Sequence, residues 1–254
     1  MNIVAYGGGT NSTALLIECY KRNIPVDLIL FADTGGERPE TYEYVDMFSR
    51  WLVERGMPKI ITVYRVNRLG ERRALEADCL DGDMLPSIAY GYKSCSIKYK
   101  ADPQNKYCNN HQFCREIWDK GDKVAKFIGY DADESHRAHI SEDGKYLYRY
   151  PLVEWDMGRD ECVDTICKAG LPQPGKSSCF FCPSMKSHEI RRLAITNPDL
   201  MKRALEMEAN AQANLTSVKG LGRNWKWADL LATADMFEDE FLDIVDQACG
   251  CYDG

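Results

Sequence analysis

The sequence predicts an α/β fold, a Rossmann-like parallel sheet followed by a helical C-terminal region, and three observations carry that prediction. Short apolar runs alternate with stretches of helical period in the order strand, helix, strand, helix, strand over the first 64 residues. The first run empties into Gly7, Gly8 and Gly9 and then into hydroxyl and amide side chains, which is how a strand-to-helix turn that holds an anion is written. The second run leads into Asp33, and parallel sheets gather their ligands at the C-terminal ends of their strands.

Taken in order, Ile3-Val4-Ala5-Tyr6 is a buried strand, Gly7-Gly8-Gly9 the turn, and Thr10-Asn11-Ser12-Thr13 the start of a helix. Glycines allow positive φ and close backbone approach, and a helix N-terminus offers unpaired N–H groups and the positive end of its dipole. The expected guest is a phosphate, sulfate or pyrophosphate; a ligand-free turn is the plain alternative. The loop is not a Walker-type P-loop, because no Gly-Lys-Ser/Thr follows, nor a GxGxxG fingerprint, whose third glycine falls at Asn11 or Ser12. The first helix is expected over 13–22, stopped by Asn23 and Pro25. A strand over 26–31, a helix over 42–55 with Tyr44, Val45, Phe48 and Leu52 on one face, and a strand over 60–64 follow. Residues 70–114 are polar and read as irregular; 125–129 and 147–152 read as further strands. From 160 on the chain reads as mostly helical, apart from a loop over 170–183, with an amphipathic helix over 236–245 before the tail. One domain over 1–254 is expected, with a nucleotide-binding core over about 1–155 and a cysteine-motif and helical region over about 156–254.

Composition narrows the function classes. The 254 residues are 44% apolar and 28% charged, ordinary for a soluble globular chain. A net charge of -7 argues against non-specific nucleic-acid binding by the whole surface while leaving room for a local basic groove. The N-terminus passes straight into the first strand and no apolar stretch reaches spanning length, so a cytoplasmic chain with no membrane partner is expected. Eleven cysteines without a secretion signal point to metal or redox chemistry rather than a disulfide framework.

Several side chains are candidates on chemistry alone. Asp33, followed by Thr34 and Gly35, stands where an acid accepts from a ribose hydroxyl or holds a metal-bound water. Glu37 and Glu40 read equally well as first-turn acids of the next helix. Cys179 and Cys182 form a CxxC in a Gly/Pro-rich loop, a spacing that suits one metal centre or a redox pair, and the Pro183 that follows is common in iron–sulfur sites. Arg137 can fork onto a sulfate or phosphate, or pair with Asp133 or Glu134. Lys93, Lys98 and Lys100 flank Cys95 and can serve an anion, and Lys176 and Lys186 bracket the CxxC. Cys249 and Cys251 stand on the terminal tail, where a thiol can swing in and attack. Cys108 and Cys114, near His111, read as loop thiols, and Cys19, Cys79 and Cys167 as core residues.

Five blocks in order carry a resemblance. Gly7-Gly8-Gly9-Thr10-Asn11-Ser12-Thr13 resembles the pyrophosphate loop, Ser-Gly-Gly-x-Asp-Ser-Thr/Ser, of the adenine-nucleotide α-hydrolase (PP-loop) superfamily. The stretch from Asp33-Thr34-Gly35 to Pro39-Glu40-Thr41 resembles the Asp-Thr-Gly-x-x-x-Pro-Glu-Thr block of phosphoadenosine phosphosulfate (PAPS) reductases. Cys95-Ser96-x-Lys98-x-Lys100-x-x-Pro103 is similar to their Cys-x-x-Lys-x-x-Pro block, and Gly129 to Ala138 to their Gly-x-Arg-x-x-Glu-Ser-x-x-Arg-Ala segment. The tail Cys249-Gly250-Cys251 is similar to the family's Glu-Cys-Gly-Leu-His-x-Gly ending. The departures are Gly7 for the loop's Ser, Asn11 for its Asp, Asp131 where an Arg is expected, and Tyr252 for the tail His.

The resemblance implies adenine-nucleotide-dependent sulfur chemistry on PAPS, adenylyl sulfate (APS) or ATP. In its reductase form Gly7, Gly8, Gly9, Asn11, Ser12 and Thr13 hold the phosphate, Asp33, Thr34 and Gly35 the nucleoside side, and Lys98 with Arg137 the sulfonyl end. Cys249 attacks sulfur, and Cys251 or a thiol donor such as thioredoxin or glutaredoxin releases sulfite. In relatives that act on adenylyl sulfate a CxxC joins an upstream cysteine pair on a [4Fe–4S] cluster, which implies Cys95, Cys179 and Cys182 as ligands here; Cys162, at a predicted helix start after Arg159-Asp160-Glu161, is the choice for the fourth, and zinc is the alternative metal. The second form is an ATP-dependent iron–sulfur sulfurtransferase acting on tRNA or DNA, and the third a catalytically silent nucleotide or redox sensor.

Overall fold

A computed structural model of the chain describes residues 1–139 and 141–233. Five strands, β1 (Asn2–Tyr6), β2 (Leu28–Asp33), β3 (Ile60–Tyr64), β4 (Val124–Ile128) and β5 (Tyr146–Arg149), form one sheet in the order β3-β2-β1-β4-β5. Every pairing is parallel, with Ile3 beside Leu28 on one side and Lys126 on the other. The strands are covered on both faces, which is why β2 reads as a nearly unbroken apolar run. The order reverses at β1: the chain winds outward to β2 and β3, then returns to β4 and β5. The crevice outside the C-terminal ends of β1 and β4 is therefore the switch point at which such sheets bind ligands.

The helices are α1 (Thr10–Lys21), α2 (Pro39–Val53), α3 (Leu75–Asp81), α4 (Ser94–Ser96), α5 (Asp102–Asn110), α6 (Gln112–Asp119), α7 (Pro151–Glu154), α8 (Arg159–Lys168), α9 (Ser187–Thr196), α10 (Pro198–Ala211) and α11 (Trp227–Ala232). Alternation along β1 divides the layers. Val4 and Tyr6 face a core built with Leu15, Leu16, Phe48, Cys162 and Ile166, from α1, α2 and α8. Ile3 faces the opposite core, with Cys108 and Cys114 of α5 and α6. A third core joins α3 to α9, α10 and α11 through Phe180, Phe181 and Cys182. Glu208 of α10 anchors the last of these elements, accepting from the N–H groups of Leu221 and Trp227 at 2.8 and 2.9 Å and of Ala228 at 3.1 Å.

Differences from the sequence expectation have local causes. The first helix begins at Thr10 rather than 13 and is buried from Thr10 to Cys19, because α8 lies along it. The second helix begins at Pro39, whose fixed φ and missing N–H suit a first helical position. The last strand stops at Arg149, and Pro151 opens α7. The stretch 70–114, expected to be irregular, carries α3 to α6, polar and short enough to leave little periodic signal. Between α4 and α5 the helix widens into a π turn over Ile97–Ala101. Pro103 follows directly; it lacks an N–H for the Tyr99 carbonyl and its ring crowds that turn. The predicted helix over 236–245, Cys249 and Cys251 lie outside the described residues. Among the described residues no helix is long and apolar enough to cross a membrane.

Candidate functional site

The glycine turn occupies the switch point. Gly8 takes φ +77, and a Cβ there would meet Phe31 and Thr41 at 3.3 Å. Ser12 knits the turn together, its Oγ accepting from Gly7 N at 3.2 Å and donating to Gly9 O at 3.3 Å. Thr13 N closes the first helical bond on Gly9 O at 3.1 Å. By helix geometry this leaves the N–H groups of Thr10, Asn11 and Ser12 as the end's free donors. The Thr13 hydroxyl does not face that end: it meets Tyr6 OH at 3.2 Å in the core.

The exit of β4 closes on the same turn. A Cβ on Gly129 would stand 3.0 Å from Ser12 N and Cα, so only glycine lets the two backbones approach this closely. Asn11 Nδ2 donates to Asp131 Oδ2 at 2.7 Å, and Arg159 Nη1 donates to Asn11 Oδ1 at 3.0 Å. Burial, then the Glu134 charge, raises the Asp131 carboxyl above its ordinary range. Arg137 Nη1 donates to Glu134 Oε1 at 2.5 Å while its guanidinium lies 4.1 Å over the Tyr130 ring. Thus Arg137 is held by Glu134, whose Oε2 in turn accepts from Asn11 Nδ2 at 3.4 Å.

At the end of β2, Asp33 is buried and its oxygens are engaged. Oδ1 accepts from Gly35 N at 2.7 Å and from Tyr42 OH at 2.8 Å, and Oδ2 pairs with Arg72. Gly35 takes φ +75, with Ala74 packed against it. Thr34 turns the other way: its hydroxyl lies 3.1 Å from Cys179 Sγ and accepts from Gly36 N at 3.2 Å.

The cysteine loop lies across both strand ends. Ser177 Oγ sits 2.8 Å from where a Gly9 Cβ would stand, and Phe181 2.7 Å from where a Gly36 Cβ would stand. Phe180 N donates to Gly36 O at 2.8 Å. The buried pair of Lys176 Nζ and Glu189 Oε1, 2.5 Å apart, ties the start of this loop to α9. Lys176 is thereby committed to a protein carboxylate rather than set aside to balance a metal centre.

Cys95, Cys179 and Cys182 line one narrow cavity together with Thr34, Lys100 and Ser178. Ser178 Oγ is buried there without a hydrogen-bond partner. Burial, followed by the Glu37 charge, pushes the Cys179 thiol well above its ordinary range, against the pull of Thr34 and Lys100. Of the three lysines that flank Cys95 it is Lys100 that is buried at this cavity; Lys98, the one expected to hold an anion, is exposed on the wall of an adjoining one of about 470 Å³. Cys95 borders both, and Cys79 lines the second.

Cys162 is not brought to these thiols. It is fully buried in the core between α1 and α8, and burial pushes its thiol to about 12. Its position at a helix start suggested a ligand, but the turn of α8 that carries it faces α1. Sequence reasoning passed over Arg159, while Cys79, read as a core residue, is indeed buried in one. The paired departures Asn11 and Asp131 were a usable signal, since an amide and a carboxylate that change together belong to one contact. Among the described residues no three Cys, His, Asp or Glu side chains come close enough to hold a single metal ion.

No protein-family model matches the sequence, and no curated protein does. Among solved structures the chain is similar to the U34-tRNA thiolase NcsA from Methanococcus maripaludis with its [4Fe–4S] cluster, at 14% identity and a TM-score of 0.45, over 83% of this chain and 72% of that one.

Proposed function

We propose that the chain is an ATP-dependent sulfurtransferase: it binds the nucleotide in the crevice between β1 and β4 and carries out sulfur chemistry with the thiols beside it. The observation that carries this reading is the 3.1 Å contact between Thr34 Oγ1 and Cys179 Sγ, through which the nucleotide edge and the thiol cavity share a wall. The N–H groups of Thr10, Asn11 and Ser12, reached over Gly7, Gly8 and Gly9, hold a phosphate group. Asp33, Thr34 and Gly35 border the nucleoside side. Asp131 and Glu134 suit a magnesium ion brought in with the nucleotide, because that ion takes one or two carboxylates together with substrate phosphates.

That carboxylate pair also separates the two enzymatic readings. A sulfonyl anion held by Lys98 and Arg137 would meet the Glu134 carboxylate already bound to Arg137, and Lys98 is exposed at the adjoining cavity. A magnesium triphosphate brings its own positive charge to the same place. The reductase reading keeps the nucleotide edge but places its chemistry on Cys249 with Cys251 and a thioredoxin-type donor.

Three thiols on the wall of one cavity suit the [4Fe–4S] cluster that the resemblance implies, with zinc as the alternative metal. Cys95, Cys179 and Cys182 would hold the cluster, leaving one iron without a protein ligand, since Cys162 is buried in another core. When bound, the cluster supplies iron at which sulfide is held for transfer. Cys179 must lose its proton on ligation, and the buried Lys100 ammonium favours that loss. The acceptor implied is a nucleic-acid oxygen, activated by transfer of the adenylyl group with release of pyrophosphate.

The test is product analysis on full-length protein purified without oxygen. Magnesium ATP with bulk tRNA or DNA should yield pyrophosphate and AMP together with sulfur in the nucleic acid. Sulfite released from APS or PAPS with thioredoxin, and no pyrophosphate from ATP, would replace this reading with the reductase; no turnover of any nucleotide would overturn both.

A further inference from the structure

The side chains around the phosphate turn form one chain of bonds whose cationic end is Arg159. Asn11 stands in its middle: Nδ2 donates to Asp131 Oδ2 at 2.7 Å, and Oδ1 accepts from Arg159 Nη1 at 3.0 Å. An amide carries both the donor and the acceptor that this requires. A carboxylate at 11 would face Asp131 with like charge at hydrogen-bond distance. The position that the resemblance gives to an arginine is Asp131 here, and the guanidinium at the turn comes instead from α8.

That helix packs along α1, and the first turns of the two helices meet through the Asn11–Arg159 bond. The backbone at the start of α8 is already in use: Arg159 N donates to Asp133 Oδ2 at 2.9 Å, and Gly158 N to Glu161 Oε2 at 3.0 Å. What α8 brings to the crevice is therefore the guanidinium rather than these N–H groups. Arg137, the other arginine near the turn, is bound to the Glu134 carboxylate, whereas a neutral amide oxygen orients a guanidinium without cancelling its charge.

We propose, on the reading of the crevice as a nucleotide site, that Arg159 holds the outer phosphates of a nucleoside triphosphate, with Asn11 setting its guanidinium in place. The sheet order carries the choice of outer phosphates. Asp33 and Thr34 end β2, the phosphate turn follows β1, and Asn11, Asp131 and Arg159 join that turn to the β4 exit; the strands are neighbours in the order β2-β1-β4. A triphosphate laid along that edge with its nucleoside at Asp33 has its far end beside Arg159. The planar fork of a guanidinium suits adjoining phosphate oxygens. Asp131 acts on the same phosphates through magnesium, so its removal is felt with the metal present, whereas the loss of Arg159 is felt without it as well.

The experiment is calorimetry on full-length protein with magnesium ATP, with AMP, and with inorganic tripolyphosphate in the presence and absence of Mg²⁺. The proteins are wild type, Arg159→Met, Arg159→Lys and Arg50→Met. Arg159→Met should weaken tripolyphosphate and magnesium ATP by roughly tenfold or more, with Mg²⁺ or without it for tripolyphosphate, and change AMP binding by less than about twofold. Arg159→Lys keeps the charge and loses the fork, and should fall between. Arg50→Met removes the same charge from the exposed face of α2 and should match wild type. Equal weakening of AMP and ATP would mean that Arg159 only seats α8 against α1 and would overturn the assignment, as would tripolyphosphate binding unchanged in Arg159→Met. A wild type that binds both polyphosphates through Arg159 yet puts no sulfur into nucleic acid would support this assignment and overturn the sulfurtransferase reading alone; a wild type that binds neither would overturn both.

Discussion

Asn11 and Asp131 stand 120 positions apart and are joined by a 2.7 Å hydrogen bond at the mouth of the sheet. An amide on the phosphate turn and a carboxylate on the β4 exit together keep one acid in reach of the helix N-terminus, although the turn itself carries none. On the proposed reading the pair selects among nucleotides, because a carboxylate there repels a bare anion and attracts a metal-bound one.

Asp131→Asn tests this directly. Magnesium-ATP binding should weaken about tenfold, about 1.4 kcal/mol, while metal-free nucleotide binds as well or better, measured by calorimetry with and without Mg²⁺. Burial and Glu134 raise the folded carboxyl above 3.8, so the folded chain binds more protons than the unfolded chain between 3.8 and the raised value. Asp131 therefore costs stability as pH rises through that window, and the Asn variant should be at least as stable as wild type at pH 7 in urea.

Gly129→Ala should be damaging at the crevice. Its Cβ would stand 3.0 Å from the Ser12 backbone, which has no side-chain freedom with which to yield. A loss of roughly 1–3 kcal/mol in urea unfolding is expected, together with loss of nucleotide binding, because α1 must move off the β4 exit. Gly8→Ala, at φ +77, should cost about 1–2 kcal/mol for the backbone conformation alone.

Those glycines also mark what was legible in the sequence. The order from β1 to β4 and the ligand edge follow from apolar runs and from Gly7-Gly8-Gly9, since glycine turns and buried parallel strands leave local signals. The helices between 70 and 114 left none: α5 is polar along most of its length and holds its place through Cys108 and Pro103. Site residues contributed by packing were equally hidden. Lys98 and Lys100 look alike in sequence, and being two positions apart on one helical turn they face opposite sides, one exposed and one buried. Cys162 was offered as a ligand because a helix-start position is visible in a sequence, whereas the face a helix turns to its neighbour is not.

In metal-free protein Cys179 should react with iodoacetamide at pH 7.5 at least roughly tenfold more slowly than exposed Cys167, since burial holds its proton on. Lys100→Met should slow it further, and Thr34→Val as well, because each removes a group that favours the thiolate. Competition labelling followed by peptide mapping reads all three; Cys179 labelling as fast as Cys167 would contradict the described burial.

Lys126 provides a pH test of the sheet interior. Burial brings its ammonium from 10.5 down to about 8, so between those values the unfolded chain binds more protons and stability rises with pH. Below about 8 both states are protonated and the cost of burying the charge is present in full, roughly 3 kcal/mol. Lys126→Met should therefore be more stable than wild type at pH 7, with the difference shrinking toward pH 10.5, when both are unfolded in urea under reducing conditions.

The most direct measurement of the central claim is iron, sulfide and zinc analysis with a visible spectrum, on protein purified without oxygen, for wild type, Cys179→Ala and Cys162→Ala. The account predicts about four irons and four sulfides per chain and a broad band near roughly 400 nm in wild type. These should be lost in Cys179→Ala and retained in Cys162→Ala, with circular dichroism unchanged in both. A colourless wild type with no iron, or a cluster that survives without Cys179 and vanishes without Cys162, would contradict it.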